Sequence, residues 1–487
     1  MAETRSSIRF ILNGDLVELD DVPADRTLLD FLRLDHRLRG TKEGCAEGDC
    51  GACTVLIGRL AGDNLVYESV TSCIRFVASL DGCHVVTVEH LAREGVMNPV
   101  QQAMVEHHGS QCGFCTPGFV MSLYALWMKT PRPSRAQVEQ ALQGNLCRCT
   151  GYAPIIRAAE AMSDYGAPEA DPLRAERQSI KARLQELDDG KRVDVRSGEH
   201  RTIIPADLDD FAAAYAELPD ATIVAGSTDV GLWVTKFMRE ISPVIHIGRL
   251  EGLKRIEPLD GATRFFAGVT YTEAVPVLVE RYPQLEELMS RFAGEQIRNM
   301  GTIGGNIANG SPIGDMPPAL IVLGATLTLR KGNERRDLPL EDFFIAYHHQ
   351  DREPGEFVES VTVPDLPEGE KFAVYKLSKR REEDISAVCG AFRVKLDDQG
   401  VVVSARIAFG GMATTPKRAA TIEAGLVGQA WTAEIIETVA PQMVEDYQPI
   451  SDMRASARYR LLAAENLLRR FYQETIGQSA RLRREVA

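Results

Sequence analysis

Apolar and polar residues alternate near the N-terminus, a pattern that is typical of a half-buried β-strand. Ile8, Phe10 and Leu12 define one apolar face, and the turn pair Asn13-Gly14 leads into a return strand over residues 16–19. The pattern also predicts a short helix over residues 28–34 and further strands over residues 54–57 and 85–88. The first part of the chain is therefore predicted to be a small β-rich domain.

Helical signals replace this alternation between about residue 89 and residue 161. Thr116 is predicted to cap a helix that has Pro117 in its first turn, where a missing N–H costs nothing. Ser134 and Gln137 form a capping box for a second helix, which Gly144 is predicted to end. A third helix is predicted over residues 154–162. Residues 163–200 carry many charges with little periodicity, so they are predicted to be a linker that is partly helical.

The rest of the chain mixes strands and helices in two further segments. Between about residues 203 and 366, a strand over residues 221–225 is followed by a sharp turn and a helix from about Val230. In the last segment, strands are predicted over residues 372–377, 388–396 and 401–409, with helices near 434–444 and 455–472. The pattern predicts an α+β protein of several domains.

Composition and charge narrow the functional classes. The chain has 487 residues, of which 44% are hydrophobic and 25% charged, as in folded globular proteins. Its net charge of −14 argues against a nucleic acid or an anionic membrane surface as partner. The longest mostly apolar stretch, residues 119–128, is too short to span a membrane, and the N-terminus resembles no secretory signal. A cytoplasmic location is expected.

Ten cysteines carry the most specific chemical signal, and nine of them precede residue 150. Cys45, Cys50, Cys53 and Cys73 have the spacing of a plant-type [2Fe–2S] ferredoxin. Glycines in the loop that holds the first three allow the tight turns that three converging thiolates need. A structural zinc site is the alternative, but such sites usually pair their ligands in CxxC or CxH knuckles.

A second cysteine quartet consists of Cys112, Cys115, Cys147 and Cys149, and both pairs precede predicted helix starts. The positive end of a helix dipole is expected to stabilise thiolates at such positions. Spacing alone leaves zinc as a fair alternative for this quartet, whereas two adjacent quartets favour a redox relay. Cys83 and Cys389 have no partners at ligand spacing and are expected to be buried structural thiols.

Two glycine-rich loops suggest a nucleotide cofactor. The turn at residues 226–229, between a strand and a helix, could form a phosphate cradle of backbone N–H groups. The segment 301–315 has five glycines in fifteen residues, which would let the backbone approach a large flat ligand. Neither a GxGxxG fingerprint nor a P-loop is present, so a Rossmann or P-loop nucleotide site is not supported.

The motifs GTKEGCAEGDCGACTV, SQCGFCTPGF and GNLCRCTGYAPI resemble the two iron–sulfur domains of the molybdenum hydroxylases, the xanthine oxidase family. The resemblance continues through ARIAFGGMATTPKRA and SDMRASARYR, and is strongest to bacterial xanthine dehydrogenases that carry iron–sulfur and flavin on one small subunit. It implies a β-grasp ferredoxin-like domain, a four-helix [2Fe–2S] domain, a non-Rossmann FAD-binding domain of the vanillyl-alcohol-oxidase type and a C-terminal α+β flavoprotein domain. The expected ranges are 1–88, 89–165, a linker over 166–200, 201–368 and 369–487.

The resemblance also implies site residues. The two quartets would each hold a [2Fe–2S] cluster, and Ile307 and Tyr347 would lie near the flavin ring. No catalytic side chain is expected on this chain, and the role of Glu383, where relatives often have Asp, is left open. The expected FAD contacts are Ile223, Val224, Ala225, Gly226, Ser227, Thr228, Asp229, Val230, Phe292, Thr302, Asp315, Val358 and Lys376.

Nothing in the sequence resembles the molybdenum domain of this family. The resemblance therefore implies a large partner subunit that carries the molybdenum cofactor, with the two subunits paired in an α2β2 heterotetramer. Electrons would pass from that partner through the second and then the first cluster to FAD and NAD⁺, during oxidation of hypoxanthine and xanthine to urate. The alternatives are the corresponding subunit of an aldehyde, carbon monoxide or aromatic hydroxylase, or a stand-alone electron-transfer flavoprotein.

Overall fold

The computed structural model describes residues 3–478, which form two compact units. The first unit comprises residues 3–252 together with the short segments Thr270–Thr272 and Ala293–Thr302. The second unit comprises residues 253–269, 273–292 and 303–478. Both units mix helices and sheets, so the predicted α+β multidomain class is confirmed.

The N-terminal domain is built on a five-stranded mixed sheet, as the alternating pattern predicts. Its apolar core includes Phe10, Val55 and Val85, and the strand order is β3-β2-β6-β4-β5. The elements are β1 (Thr4–Arg5), β2 (Ile8–Leu12), β3 (Asp15–Leu19), α1 (Leu28–Asp30, continued by a π-helical turn over Phe31–Asp35), β4 (Thr54–Ala61), β5 (Asn64–Thr71) and β6 (His84–Val86).

Four helices follow, as the resemblance implies: α2 (Pro99–Glu106), α3 (Thr116–Lys129), α4 (Arg135–Ala141) and α5 (Ala153–Ala161). The sequence pattern predicts three of them and misses α2. The inner face of α3 is buried and includes Phe119, Tyr124 and Trp127. The capping box of Ser134 and Gln137 is present at α4. Two details of the sequence interpretation are wrong: Cys115 is the N-cap of α3, so Thr116 is already helical, and α4 ends at Ala141 rather than at Gly144.

The segment predicted as a linker is largely ordered structure. Residues 172–187 form α6 (Pro172–Leu187), and β7 (Arg192–Ser197) follows it. Ile180, Leu184 and Leu187 of α6 pack against Ile11 and Leu65 of the N-terminal sheet. The helical spacing of these apolar residues is difficult to recognise in the sequence because the segment carries many charges. Packing against α6 also explains why β2 has apolar residues on both of its sides.

A second five-stranded sheet completes the first unit. β8 (His200–Ile204) leads through α7 (Leu208–Glu217) to β9 (Thr222–Val224), and α8 (Val230–Thr235) leads to β10 (Val244–His246). The strand order is β1-β7-β8-β10-β9, with β9 and β10 parallel. β9 is the predicted strand before the first glycine turn, and α8 starts at Val230 as expected.

The remaining elements lie in the second unit, except for α11 and the first two residues of α9. The helices are α9 (Tyr271–Arg281), α10 (Glu286–Arg291), α11 (Glu295–Arg298), α12 (Ile303–Asn309), α13 (Met316–Leu323), α14 (Leu340–Phe343), α15 (Ala420–Leu426), α16 (Ala433–Val439), α17 (Met443–Asp446) and α18 (Ala457–Thr475). The strands are β11 (Ile256–Leu259), β12 (Ala262–Phe266), β13 (Thr326–Lys331), β14 (Glu334–Pro339), β15 (Phe344–Ala346), β16 (His349–Gln350), β17 (Phe357–Pro364), β18 (Lys371–Leu377), β19 (Val388–Leu396), β20 (Val402–Gly410) and β21 (Lys417–Arg418).

These strands form one five-stranded sheet in the order β11-β12-β17-β13-β14 and one four-stranded antiparallel sheet, β18 to β21, beside a short pair, β15 and β16. Helices α15 to α18 cover the four-stranded sheet with a core that includes Phe392, Phe409 and Phe471. The helix predicted near residues 434–444 is divided into α16, a 3₁₀ turn and α17, and Pro441, which has no backbone N–H, lies in that turn. None of the helices within residues 3–478 has the length and apolar character needed to cross a bilayer.

Candidate functional site: two cysteine quartets and a flavin loop

The four thiols of the first predicted quartet lie close together in the first unit. The thiol of Cys45 interacts with those of Cys50 and Cys73, and the thiol of Cys53 interacts with that of Cys73. Cys53 and Cys73 are buried, whereas Cys45 and Cys50 are partly exposed. The interaction with Cys50 lowers the pKa of Cys45, which favours a thiolate at that position.

Backbone geometry in the loop between Cys45 and Cys53 also suits a cluster. The amides of Glu47 and Cys50 each lie 3.4 Å from the Sγ of Cys45 and donate to it. Ala46 and Gly48 have left-handed φ values of 54° and 82°, which turn these amides towards the sulfur. Amide donors of this kind stabilise the negative charge of a reduced iron–sulfur cluster. The residues present therefore fit a [2Fe–2S] group.

The second quartet also converges, as two interacting pairs. The thiol of Cys115 interacts with that of Cys147, and the thiol of Cys112 interacts with that of Cys149. Cys112 and Cys149 are exposed, so this quartet reaches the surface of the four-helix domain. The amide of Thr150 donates to the Sγ of Cys147 at 3.5 Å. Its chemistry and its arrangement fit a second cluster.

The expected effect of the helix dipole at Cys115 is outweighed in the structure. Cys115 caps α3, yet burial raises the pKa of its thiol to about 12 because desolvation disfavours the charged form. A bound metal would have to lower the pKa of Cys115 again by attracting its thiolate form.

Within the described residues, no set of three or more His, Cys, Asp or Glu side chains is arranged so that it could hold a single metal ion.

The two cysteine-bearing domains contact each other directly between the quartets. The amide of Leu146 donates to the carbonyl of Cys50 at 3.0 Å, and Nδ2 of Asn145 donates to the carbonyl of Gly51 at 3.3 Å. Gly118 of α3 packs so closely that a Cβ there would lie 2.1 Å from the carbonyl oxygen of Gly51. The second quartet is thus held against the loop that carries the first.

A buried glutamine from the segment Ala293–Thr302 joins this contact. Nε2 of Gln296 on α11 lies 3.3 Å from the hydroxyl of Thr54, 3.0 Å from that of Ser122 and 2.9 Å from Oδ1 of Asn145. Thr54 follows the ligand candidate Cys53, and Asn145 lies two residues before Cys147. One side chain therefore connects the β-rich domain, the four-helix domain and the predicted flavin-binding region.

The glycine turn after β9 has the features of a phosphate cradle. The amides of Gly226, Ser227 and Thr228 donate to no acceptor within residues 3–478. A Cβ on Gly226 would lie 1.6 Å from the carbonyl oxygen of Met300, so only glycine fits there. Three consecutive amides without partners before a helix are suited to the pyrophosphate of a dinucleotide. The first unit also brings Thr302 to this segment, since Gly301 packs near Thr228.

The same turn contacts the first quartet. The hydroxyl of Ser227 donates to the carbonyl of Ile74, the residue after Cys73, at 2.6 Å. Gly231 lies against the same residue, because a Cβ there would be 2.6 Å from the Cβ of Ile74. Ile74 therefore contacts the predicted flavin turn and directly follows the predicted cluster ligand Cys73.

The second unit holds the other predicted flavin contacts. Asp315 and Lys376 are both buried and form an ion pair, and the hydroxyl of Ser386 also donates to Asp315. Nη1 of Arg291 donates to the carbonyl of Lys376 at 2.9 Å, which brings the neighbouring Phe292 to the same region. Val358 is a buried residue of β17. These four assignments stay predictions, as do those of the glycine turn.

Three further residues named from the sequence have contrasting positions in the second unit. Ile307 is fully buried on α12, whereas Tyr347 is 59% exposed, and its ring centroid lies 4.0 Å from that of His348 with the planes tilted by 55°. Glu383 has a left-handed φ of 54° within the charged loop after β18. Cys83 and Cys389 are buried, as expected of structural thiols.

Sequence reasoning missed Gln296, Ser122 and Asn145. They are ordinary polar residues without a motif, and only their simultaneous burial in the fold reveals their role. A weak signal was present for Asn145, which lies between Gly144 and the second pair of cysteines.

Comparison with known families assigns each part of the chain. Residues 10–77 match a 2Fe-2S iron–sulfur cluster binding domain, and residues 87–160 match a [2Fe-2S] binding domain. Residues 197–366 match the FAD binding domain in molybdopterin dehydrogenase, and residues 373–475 match the CO dehydrogenase flavoprotein C-terminal domain. The chain therefore carries two [2Fe–2S] domains and an FAD-binding domain.

Curated relatives match almost the whole chain. A xanthine dehydrogenase of Emericella nidulans is 31% identical over 98% of this chain, and a xanthine dehydrogenase/oxidase of Rattus norvegicus is 32% identical over 92% of it. The aligned part makes up 39% and 37% of those two proteins, so the chain spans less than half of their length.

Solved structures match about half of the chain. A chain of Cu,Mo-CO dehydrogenase aligns with 55% of this chain and 94% of its own length, at 27% identity and a TM-score of 0.51. A chain of quinoline 2-oxidoreductase from Pseudomonas putida 86 aligns with 56% of this chain and 94% of its own length, at 26% identity and a TM-score of 0.50. The four domains of this chain, in their order and kind, are those of the iron–sulfur and FAD portion of the molybdenum hydroxylase family.

Proposed function

We propose that this chain is the electron-transfer subunit of an NAD⁺-dependent xanthine dehydrogenase. In this proposal it accepts electrons from a molybdenum cofactor on a separate large subunit during oxidation of hypoxanthine and xanthine to urate. Bound at the two cysteine quartets, [2Fe–2S] clusters would supply one-electron transfer, and an FAD bound at the glycine turn would take up two electrons and a proton and supply them as hydride to NAD⁺. The chain itself contributes positioning, insulation and electrostatics rather than a catalytic side chain.

The observation that carries this proposal is the different exposure of the two quartets within one unit. Cys112 and Cys149 lie at the surface, whereas Cys53 and Cys73 are buried beside the glycine turn. This arrangement supports entry of electrons at the second quartet and their exit through the first towards the flavin loop. Phe114 and Leu146, which neighbour ligands of the second quartet, are 47% and 37% exposed, as expected of a surface that a partner covers.

Two findings favour xanthine dehydrogenase over hydroxylases that act on other substrates. The two xanthine dehydrogenase relatives described above align with 98% and 92% of this chain, across all four domains. A chain of CO dehydrogenase or quinoline 2-oxidoreductase accounts for only 55–56% of it, although that alignment covers nearly the whole of the solved chain. An aldehyde, carbon monoxide or aromatic hydroxylase is the second candidate, because the names of the structural neighbours include carbon monoxide and the aromatic compound quinoline.

We also propose a partner. The relatives are more than twice as long as the part that aligns with this chain, and we propose that a large subunit with the molybdenum cofactor supplies their remaining chemistry, in an α2β2 assembly. The acidic net charge of −14 argues against nucleic acid as an additional partner. We also propose a cytoplasmic location, where reduced thiols are available for cluster assembly.

The experiment is anaerobic isolation of the protein with its natural partner, followed by metal and flavin analysis and EPR spectroscopy. Reduction by xanthine should produce two distinct [2Fe–2S] signals and bleach the flavin, and NADH alone should also reduce the flavin. Zinc in the second quartet would contradict the electron relay. Complete cofactors with no response to xanthine, but with reduction by an aldehyde or an aromatic heterocycle, would support the second candidate instead.

A further inference from the structure

Helix α8 lies between the predicted flavin turn and the first quartet, and its C-terminal end contacts the cluster loop. The hydroxyl of Thr235 donates to the carbonyl of Ala46 at 2.6 Å. The ammonium group of the next residue, Lys236, donates to the carbonyl of Cys45, which is itself a predicted ligand. Two adjacent side chains of the flavin-binding region therefore bind two adjacent carbonyls of the cluster loop.

These contacts complement the geometry of the loop. The amides of Glu47 and Cys50 point towards the Sγ of Cys45, so the carbonyls of the same turn must point elsewhere. The left-handed φ of 54° at Ala46 produces this division between inward amides and outward carbonyls. Thr235 and Lys236 satisfy the outward carbonyls and so hold the amides in the orientation that a cluster needs.

Lys236 also brings charge to this position. Its ammonium group lies 3.6 Å from the carboxylate of Glu47, and the lysine side chain is 36% exposed. A cation here offsets the negative charge of Glu47 and favours the more negative, reduced state of a cluster in the first quartet. Water screens a partly exposed charge, so the effect on the potential is expected to be modest.

We infer that Lys236 is a positioning residue that raises the reduction potential of the first cluster, through its charge and its bond to the carbonyl of Cys45. The inference rests on the proposed function only in requiring a [2Fe–2S] cluster at Cys45, Cys50, Cys53 and Cys73. It gives α8 a second role, because the helix follows the predicted pyrophosphate turn and also sets the driving force for electron transfer towards the flavin.

The test is an EPR-monitored redox titration of the complete protein in six forms. They are the unsubstituted chain, Lys236→Met, Lys236→Arg, Thr235→Val, Lys395→Met and Cys149→Ser. Cys149→Ser, which alters only the exposed second quartet, identifies the signal that belongs to the first cluster. At the potential that half-reduces this cluster in the unsubstituted protein, Lys236→Met should raise its oxidised-to-reduced ratio about threefold, or about 30 mV at 59 mV per tenfold change.

Three controls make the result specific. Lys236→Arg should keep the midpoint near that of the unsubstituted chain, and Lys395→Met, which removes an exposed cation in the second unit, should not move it. Thr235→Val, which removes a loop hydrogen bond without changing charge, should shift it less than Lys236→Met does. The potential of the second cluster should not change in any of these variants.

The outcomes separate this inference from the proposed function. Two cluster signals with an unchanged first midpoint in Lys236→Met would overturn the inference and leave the proposed function standing. An equal shift in Thr235→Val and Lys236→Met would assign the effect to loop geometry and would also overturn it. Absence of a [2Fe–2S] signal from the first quartet in the unsubstituted protein would reject both.

Discussion

At the scale of single residues, each cysteine of the second quartet has a contact that identifies its partner. Cys149 is exposed and interacts with the thiol of Cys112, so its replacement disturbs little else in the fold. Cys149→Ser should remove one of two [2Fe–2S] EPR signals and about half of the iron, because each cluster holds two iron ions. The measurement is iron analysis with EPR on the purified protein.

Cys83→Ala provides the control for this substitution. Cys83 is buried in the N-terminal domain and has no ligand spacing, so its loss should leave both signals and the iron content unchanged. Retention of both signals in Cys149→Ser would show that this residue is not a ligand.

His246 is the residue from which we expect the clearest dependence of stability on pH. It is buried on β10 beside Phe76, and neither ring nitrogen has a hydrogen-bond partner within the described residues. Burial lowers its pKa to about 3, with a further contribution from the positive charge of Arg75. The unfolded chain therefore binds a proton near pH 6.5 that the folded chain does not bind, and stability falls as pH decreases from 6.5 towards 3.

The substitution His246→Gln should remove this contribution. In the unsubstituted chain, His246 should lower the free energy of unfolding by up to about 1.4 kcal/mol per pH unit as the pH falls from 6 to 4. In His246→Gln this part of the decrease should be absent. Urea denaturation at several pH values measures this slope. His349→Gln, at an exposed position, is the matched control and should leave the slope unchanged, whereas equal slopes in all three proteins would contradict the prediction.

At the scale of elements, α3 shows how packing can override helix propensity. Alanine is a better helix former than glycine by about 1 kcal/mol, so Gly118→Ala should stabilise an isolated α3. In the protein, the new Cβ would lie 2.1 Å from the carbonyl oxygen of Gly51 and 3.0 Å from its carbonyl carbon. We therefore expect destabilisation by about 1–3 kcal/mol, as for overpacked cores, and weaker docking of the four-helix domain.

Thermal denaturation and iron retention measure the effect of Gly118→Ala. Gly14→Ala is a suitable control, because no atom outside the immediate neighbours of Gly14 lies within 4 Å of a Cβ there. A Gly118→Ala variant as stable as the Gly14→Ala variant would show that α3 and the cluster loop can separate without cost.

Elements with a local signal could be predicted from the sequence, and elements defined by distant contacts could not. The capping box at Ser134 and the strands β18 to β20 depend on neighbouring residues, and the structure contains both. The sequence predicts a linker in place of α6 because the apolar face of this helix is completed only by Ile11 and Leu65, far away in the chain. The role of Gln296 also depends on residues more than 150 positions away.

At the scale of the whole molecule, the predicted route of electrons requires a partner at the surface of the four-helix domain. Phe114 and Leu146 are the exposed apolar residues closest in sequence to the ligands of the second quartet. The double substitution Phe114→Ser with Leu146→Ser should weaken binding of the molybdenum subunit at least about tenfold, or about 1.4 kcal/mol, if they are buried on association. Analytical ultracentrifugation of mixed subunits measures this change.

The matched control for this experiment lies in the second unit. Val403 is 51% exposed on β20, and Val403→Ser should leave the association unchanged. Both variants should keep their iron and flavin. Undiminished binding by the double variant would place the partner on another face of the chain.

Because Ala293–Thr302 belongs to the first unit, it bears on whether the two halves of the chain stay together when the chain is cut. These ten residues pack with the cysteine-bearing domains, although the chain directly before and after them belongs to the second unit. A cut at the exposed residues 188–190 would therefore produce two polypeptides that still share one buried polar network through Gln296. We therefore expect two separately expressed halves to recombine into one particle, with the hydrogen bonds of Gln296 among the contacts that join them.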